Sequence, residues 1–202
     1  MQLENNNIDP KPSTLRITGM KHVILTLALA LTLTFATAFS VAAKGSGFTP
    51  PSKLGPDLVM EEYFDGRLTA TGEYWDRQGN LARTFDVDIV GTWDGTTLTL
   101  VEDFVYNTGY EFQRIWKLKK NGEDGWVGTA GDTIGKAKGA EDGPVFSWNY
   151  AVNLERTPGK GDFIKIFFDD VMWRTSEREV VNYAEMKKFG MRVGEVIVRF
   201  KK

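Results

Sequence analysis

The stretch FSWNYAVNL, residues 146–154, alternates large apolar side chains with small or polar ones. Successive side chains of a β-strand point to opposite faces of the sheet, so this alternation predicts a strand with one buried face. The side chains predicted to be buried are those of Phe146, Trp148, Tyr150, Val152 and Leu154.

The same two-residue period recurs along the chain from Gly66 onward. It is clear in TFDVDI, residues 84–89. Short groups of Asn, Asp and Gly separate the runs, as in Arg77–Asn80 and Asn107–Gly109, and these residues tolerate the positive φ angles of tight hairpins. Together the runs and turns predict about nine strands. The other apolar runs with this period are Phe112, Trp116 and Leu118, then Ile164, Ile166 and Phe168, and finally Val196, Val198 and Phe200.

A sheet of this size with one apolar face is expected to close on itself, because open edges promote aggregation. Short hairpins in series favour an up-and-down order of strands, so the predicted fold is an all-β, antiparallel up-and-down barrel. Two segments are less regular. Residues 57–64 (DLVMEEYF) fit a short helix or a lead-in strand, and residues 180–189 (VVNYAEMKKF) fit one short helix, with a strand as the alternative.

The chain before the barrel divides into three parts. Residues 1–19 form a polar leader, and we expect translation to start at Met20. The uncharged run 23–43 is expected to act either as a cleaved signal peptide or as a retained anchor in the inner membrane. Residues 44–56 are a Gly- and Pro-rich linker, and residues 57–202 form the barrel domain, which is therefore expected in the periplasm or outside the cell.

Composition excludes several classes of function. The 25 basic and 27 acidic residues leave a net charge of -2, so no nucleic-acid partner is expected. The chain has no Cys, and its one histidine is His22, which removes nucleophilic thiols, histidine bases and the usual zinc sites. We therefore expect no metal, no cofactor and no enzyme built on these groups, and no lipid anchor on cysteine.

Paired carboxylates are the remaining catalytic option. They occur as Glu102-Asp103 and Asp169-Asp170. Adjacent strand residues face opposite sides, so each pair is expected to place one acid inside the barrel. Surface charge and ion pairing explain such pairs more often than catalysis does.

Three charged residues fall on the face predicted to be buried, namely Arg83, Arg114 and Asp170. Burying an unpaired charge is costly, so two explanations stand. In the first, Arg114 forms an ion pair with Asp170 or Asp103 and closes a solid core. In the second, Arg114, helped by Arg83, binds a carboxylate or phosphate head in a cavity. The predicted ligand-binding residues are then Arg83, Arg114, Trp116, Phe146, Trp148, Tyr150, Phe168 and Asp170.

Residues 62–202 resemble the bacterial family known as domain of unknown function 3833. The resemblance lies in Tyr63–Gly95, in LVEDFVY (100–106), in FFDDVMW (167–173) and in MKKFGMRVGEVIVRF (186–200). Members are typically envelope proteins, and many carry a lipoprotein signal, whose cysteine this chain lacks. The resemblance implies a lipocalin-like (calycin-like) barrel, implies a link to fatty-acid-modifying enzymes only weakly, and implies no activity.

These observations lead to an ordered set of functional expectations. The first is a non-catalytic envelope barrel that binds an apolar or amphiphilic ligand such as a fatty acid or modified lipid. The alternative is an accessory protein whose packed barrel docks an envelope protein partner through its outer surface. A carboxylate-based hydrolase comes third. Contact with a membrane is expected only through residues 23–43, if they are retained.

Overall fold

The computed structural model describes residues 45–156 and 160–202. The predicted leader and export segment lie outside these residues. One short helix and ten strands make up the described part of the chain. They are α1 (Met60–Tyr63), β1 (Gly66–Asp76), β2 (Leu81–Trp93), β3 (Thr97–Tyr106), β4 (Glu111–Lys120), β5 (Gly125–Thr129), β6 (Ala137–Asp142), β7 (Val145–Glu155), β8 (Phe163–Arg174), β9 (Glu179–Lys188) and β10 (Met191–Lys201).

The ten strands form one closed antiparallel barrel in up-and-down order. Each strand pairs with the next along the chain, and β1 pairs with β10 from Thr69↔Lys201 to Asp76↔Gly194. This confirms the predicted fold class, with ten strands where about nine were expected. The shortest strands are β5 and β6, of 5 and 6 residues, and neither carries a long alternating run.

Of the two structures that the sequence left open for residues 180–189, the short helix is wrong and the strand is confirmed. Residues 179–188 are strand β9, which pairs with both β8 and β10. Val180, Asn182, Ala184 and Met186 are buried on one face, which is the two-residue period of a strand. Two ladders of backbone hydrogen bonds outweigh the modest helix preference of Ala, Glu, Met and Lys in this segment.

Alternation separates the inside of the barrel from the outside as predicted. In β2, Phe85, Val87 and Ile89 are buried while Asp86 and Asp88 are exposed. In β7 the side chains of Phe146, Trp148 and Val152 are buried, and those of Tyr150 and Leu154 are half-buried. The apolar core therefore lies within the barrel.

Helix α1 closes one end of the barrel, which we call the base. Phe64, at its carboxyl end, packs edge-on against Phe200 with ring centroids 5.4 Å apart. The hydroxyl of Tyr63 donates a hydrogen bond to the carbonyl of Arg178 (3.0 Å). Lys202 donates to the carbonyls of Glu62, Tyr63 and Asp65 at 2.9, 3.0 and 2.9 Å, so a cation satisfies the last acceptors of the helix. The opposite end, which carries the β1–β2, β3–β4, β5–β6, β7–β8 and β9–β10 connections, is the mouth.

Residues 45–56, the described part of the predicted linker, pack along the outer wall of β8, β9 and β10. The backbone N–H and the hydroxyl of Ser46 both donate to Glu195 Oε2, at 2.8 and 2.6 Å. Phe48 stacks on Tyr183, with ring centroids 5.0 Å apart. Gly55 donates its N–H to the carbonyl of Arg174 near the base. Residues 45–56, which we call the entry segment, therefore run from the mouth to the base.

Within the described ranges, no helix has the length and hydropathy to cross a bilayer.

Replacing Gly91 by Ala tests how tightly α1 is held. A Cβ at Gly91 would overlap the carbonyl oxygen of Phe64, so the helix would have to move. We expect Gly91→Ala to lower the free energy of unfolding by about 1–3 kcal/mol, as overpacking does, when measured by urea denaturation. Gly131→Ala is the control, because a Cβ there meets no atom within 4 Å, and it should change stability by less than about 0.5 kcal/mol. Equal effects at the two positions would contradict this account of the base.

Candidate functional site

The barrel encloses a cavity of about 470 Å³ above α1. This volume lies within the range of about 300–1,000 Å³ that is typical of small-molecule sites. Met60 and Phe64 form its floor, and most of its lining comes from inward-facing apolar side chains of the strands. At the mouth the lining includes Tyr106, Leu154 and Ile164. The interior is thus a chamber with a closed base.

All eight residues predicted from the sequence to bind a ligand line this cavity. They do so because each lies on the inward face of its strand, as the alternation indicates. β4 contributes two of them, β7 contributes three, and β8 contributes two. The eight are Arg83, Arg114, Trp116, Phe146, Trp148, Tyr150, Phe168 and Asp170.

The aromatic members of this set pack against one another along one wall. Trp116 meets Trp148 and Tyr150 edge-on, with centroid distances of 5.7 and 5.2 Å. Tyr150 stacks on Phe168 at 5.1 Å, and Phe146 stacks on Trp148 at 5.6 Å. Rings in such contact hold one another in place, so the apolar wall is formed before any ligand arrives.

Arg114 is paired, but its partner is neither of the two acids proposed from the sequence. Its Nη2 lies 2.6 Å from Oδ2 of Asp132, in the loop between β5 and β6. The side chains of Arg114 and Asp132 are 18% and 21% exposed. The rings of Phe104 and Phe112 flank the guanidinium, with their centroids 5.8 and 5.5 Å from Cζ. Arg114 is therefore a partly buried cation held between two aromatic rings and one carboxylate.

Asp132 reaches Arg114 because β4 and β5 pair over only part of their length. This leaves a gap in the barrel wall, which we call the β4–β5 seam. β4 pairs with β5 only over Lys117–Lys120, and residues 111–116 of β4 pair with β3 alone in the described part of the chain. The loop after β5 instead joins β7, where Ile134 donates its N–H to the carbonyl of Ala151 (2.7 Å). The Arg114–Asp132 ion pair spans the space between β4 and this loop. Sequence alternation carries no signal for such a loop.

Polar atoms near Arg114 are incompletely satisfied. Glu102 lies directly opposite Arg114 in the β3–β4 ladder and lines the cavity. Burial raises the pKa of the Glu102 carboxyl to about 7, against the opposing effect of the Arg114 charge. Arg114 Nε and Asp132 Oδ1 are buried, and the described residues supply no hydrogen-bond partner to either. A group that accepts a hydrogen bond from Nε would complete this part of the site.

A second polar cluster lies deeper, on β7, β8 and β9. Asp170 and Asn182 are each 5% exposed, and both line the cavity. Asp170 Oδ2 accepts hydrogen bonds from Asn182 Nδ2 and from the hydroxyl of Tyr150, both at 3.3 Å. Their Oδ1 atoms find no partner in the described part of the chain. Burial raises the pKa of Asp170 to about 7 and raises that of Tyr150 well above its usual value.

Asn182 is the polar residue of this cluster that the sequence reasoning missed. The sequence left its segment open between a helix and a strand, and the signal for the strand is the alternation of Val180, Asn182, Ala184 and Met186. The paired carboxylates behave as the alternation predicts, with one acid of each pair inside. Asp103 is exposed and accepts a hydrogen bond from Gln113 (2.8 Å), and Asp169 lies on the outer wall with Lys187.

Among the described residues, no group of three or more potential ligand side chains is placed to hold a metal ion.

The two inward acids predict how stability depends on pH. Folding raises the pKa of Glu102 and of Asp170 from 4.5 and 3.8 to about 7, so between about pH 4 and pH 7 the folded state binds more protons than the unfolded state. Their contribution to the free energy of unfolding therefore falls as pH rises through this window. We expect Asp170→Asn to stabilise the protein by on the order of 1–3 kcal/mol at pH 8 and to have little effect at pH 4.5, as measured by denaturant unfolding.

Asp103→Asn is the matched control for that experiment. Asp103 is exposed, so its loss should leave the slope of stability against pH unchanged. Glu102→Gln should reduce the slope in the same direction as Asp170→Asn. If stability instead rose with pH in all variants equally, the buried acids would not be its cause.

Sequence comparison adds the family to this description. A search among curated proteins found no match to the chain. Residues 41–202 match the family described as protein of unknown function (DUF3833), a range that includes the whole barrel. The chain belongs to the DUF3833 family of proteins of unknown function.

Proposed function

We propose that this barrel binds an amphiphilic ligand, such as a fatty acid or a modified lipid, without chemically altering it. The observation that carries the proposal is the cavity of about 470 Å³, closed at the base by α1 and lined mainly by apolar side chains. A protein that only needed a stable barrel would gain free energy by filling this space, because an empty cavity costs packing contacts.

The tail of the ligand would lie along the aromatic wall. Burying hydrocarbon gains about 0.8 kcal/mol per methylene, so a tail of about ten methylenes gains roughly 8 kcal/mol. That corresponds to a micromolar dissociation constant before the entropic cost of binding is subtracted. A chain of this length or longer is therefore the class of tail that the cavity favours.

The head of the ligand would lie near Arg114. The Nε of Arg114 is a buried donor without a partner in the described part of the chain, and a carboxylate or phosphate oxygen would satisfy it. Arg83 lines the cavity closer to the mouth and adds a second positive charge. Glu102, with a pKa near 7, can take up a proton, which would lessen its repulsion of an acidic head.

The proposed setting is the bacterial envelope, where a lipocalin-like barrel would carry or present lipid. The support is the uncharged run 23–43, which precedes the barrel in the sequence and has the composition of an export signal or anchor. An acyl ligand suits this setting because lipid synthesis and repair take place at membranes.

The test compares a charged and an uncharged ligand with the same tail. Palmitate and hexadecanol are titrated into the full chain, and binding is followed by tryptophan fluorescence, because Trp116 and Trp148 line the cavity. We expect both to bind, and palmitate at about one hundred times its dissociation constant should raise stability by about 2.7 kcal/mol. Arg114→Met should weaken palmitate binding by about tenfold to a hundredfold and leave hexadecanol binding nearly unchanged.

Two further variants separate the head from the tail. Asp132→Asn removes the charge that competes for Arg114, so it should tighten palmitate binding and leave hexadecanol unaffected. Ala184→Leu narrows the cavity from β9 and should weaken both ligands, with the larger loss for longer tails. If neither palmitate nor hexadecanol changes the fluorescence or the melting temperature, the proposed function is wrong.

A further inference from the structure

The turn between β9 and β10 carries an unusual residue at its tip. Phe189 has φ 51°, in the left-handed region, and it is the one non-glycine residue with positive φ among the described residues. Its side chain is 84% exposed. Asn or Gly would adopt this conformation with less strain, and an exposed ring gains nothing from burial in the fold. A bulky apolar residue that is both strained and solvent-exposed indicates a role outside the folded chain.

Phe189 belongs to a patch of exposed apolar side chains on the rim of the mouth. Met191 is 65% exposed, Phe163 is 58% exposed and Phe167 is 45% exposed. The register Phe167↔Lys187 places the start of β8 beside the end of β9, so these residues share one side of the rim. We call Phe163, Phe167, Phe189 and Met191 the rim patch. An apolar patch of this kind that is exposed to solvent is typical of a docking site.

Two lysines, Lys165 and Lys188, lie next to these apolar side chains. Lys165 Nζ lies 4.7 Å from the centroid of the Phe167 ring, and Lys188 Nζ lies 5.2 Å from that of Phe189. An apolar surface with interleaved lysines matches an anionic bilayer, in which rings enter the interface and lysines reach the head groups.

The two ends of the barrel also differ in charge, and the mouth is the more basic end. Among the described residues, the five connections at the mouth carry four basic and two acidic residues, whereas residues 60–65, the turns at the base and Lys202 carry seven acidic and two basic residues. The mouth, and not the base, is therefore the end that an anionic surface attracts. The basic residues of the connections at the mouth are Arg77, Lys136, Arg156 and Lys160, and the acidic ones are Asp132 and Asp162.

The chain also enters the barrel at this end. Gly45 lies beside Arg192 and Glu195, near the start of β10, and the entry segment then descends to the base. In the sequence, Lys44 alone separates Gly45 from the uncharged run 23–43. The first described residue is therefore at the end of the barrel that carries the rim patch.

We propose that the rim patch docks on the surface of an anionic lipid bilayer, with the cavity mouth facing the lipid. The rings of Phe163 and Phe189 and the side chain of Met191 enter the interface, while Lys165 and Lys188 contact lipid phosphates. Docking in this orientation gives a lipid a path between bilayer and cavity that avoids bulk water. Docking of the rim patch does not depend on which ligand the cavity binds, so it is tested by a separate experiment.

The absence of cysteine from the sequence allows a direct test by site-specific labelling. The full chain is prepared as Met191→Cys and, separately, as Glu123→Cys, an exposed position in the β4–β5 turn at the base. Each is labelled with an environment-sensitive fluorophore and mixed with vesicles of phosphatidylcholine, with or without phosphatidylglycerol. We expect the label at 191 to shift to shorter wavelength with phosphatidylglycerol, to be quenched by brominated lipid, and to lose this response in high salt. The label at 123 should not respond.

A second substitution shows whether the aromatic ring is responsible. Phe189→Asn removes the ring and relieves the left-handed strain, so the melting temperature should rise by about 2–4 °C while the response at 191 is lost. A fall in binding together with a rise in stability cannot come from unfolding. Val90→Asn, which removes a 40% exposed apolar side chain from the outer face of β2, is the control and should leave the response intact.

Three outcomes would overturn the proposal. One is an equal response of the labels at 123 and 191, which would mean that the domain has no preferred face. Another is a response at 191 that does not depend on phosphatidylglycerol or on Phe189. The third is a label at 191 whose fluorescence does not change when vesicles are added and changes only when a protein partner is added. Palmitate binding is measured in a separate experiment and reports on the cavity, so none of these three outcomes would change it.

Discussion

The backbone ladder between β1 and β10 is the constraint on which the rest of the structure depends. It joins the first and last strands across more than a hundred residues, from Thr69↔Lys201 to Asp76↔Gly194, and converts an open sheet into a barrel. Closure removes the two exposed edges and gives the alternating side chains a true inside. Lys202, just beyond this ladder, then reaches the carbonyls at the end of α1, so closing the wall and closing the base are coupled.

Within that wall, aromatic side chains support one another without filling the interior. Trp116 contacts Trp148 and Tyr150 edge-on in a wall of rings, and the space beside this wall is the cavity. Polar groups in such a chamber are costly unless paired, and here the pairing is partial. Arg114 has Asp132, and Asp170 has Asn182 and Tyr150, yet in each cluster two side-chain atoms find no partner among the described residues.

The two ends of the barrel have opposite roles. At the base, Phe64 and Tyr63 are buried and hydrogen bonds fix the short helix, so the chain accepts tight packing to seal the chamber. At the mouth, Phe189 is strained and exposed, so the chain gives up stability at this turn. Proteins accept such a loss where a surface serves something other than the fold. This asymmetry underlies both the proposed ligand path and the proposed orientation toward lipid.

The sequence by itself determined the strand class, the up-and-down order and the eight inward residues, because a period of two and Gly- or Asn-containing turns act over a few neighbouring residues. It also placed one acid of each carboxylate pair inside, for the same reason. Only the tertiary structure decided that Asp132 pairs with Arg114, that Asn182 joins Asp170 and that residues 180–188 take the strand rather than the helix that the sequence left open. These features arise where distant segments meet, at the β4–β5 seam and between β8 and β10, and local periodicity carries no information about which loop crosses a gap or which strand supplies a neighbour.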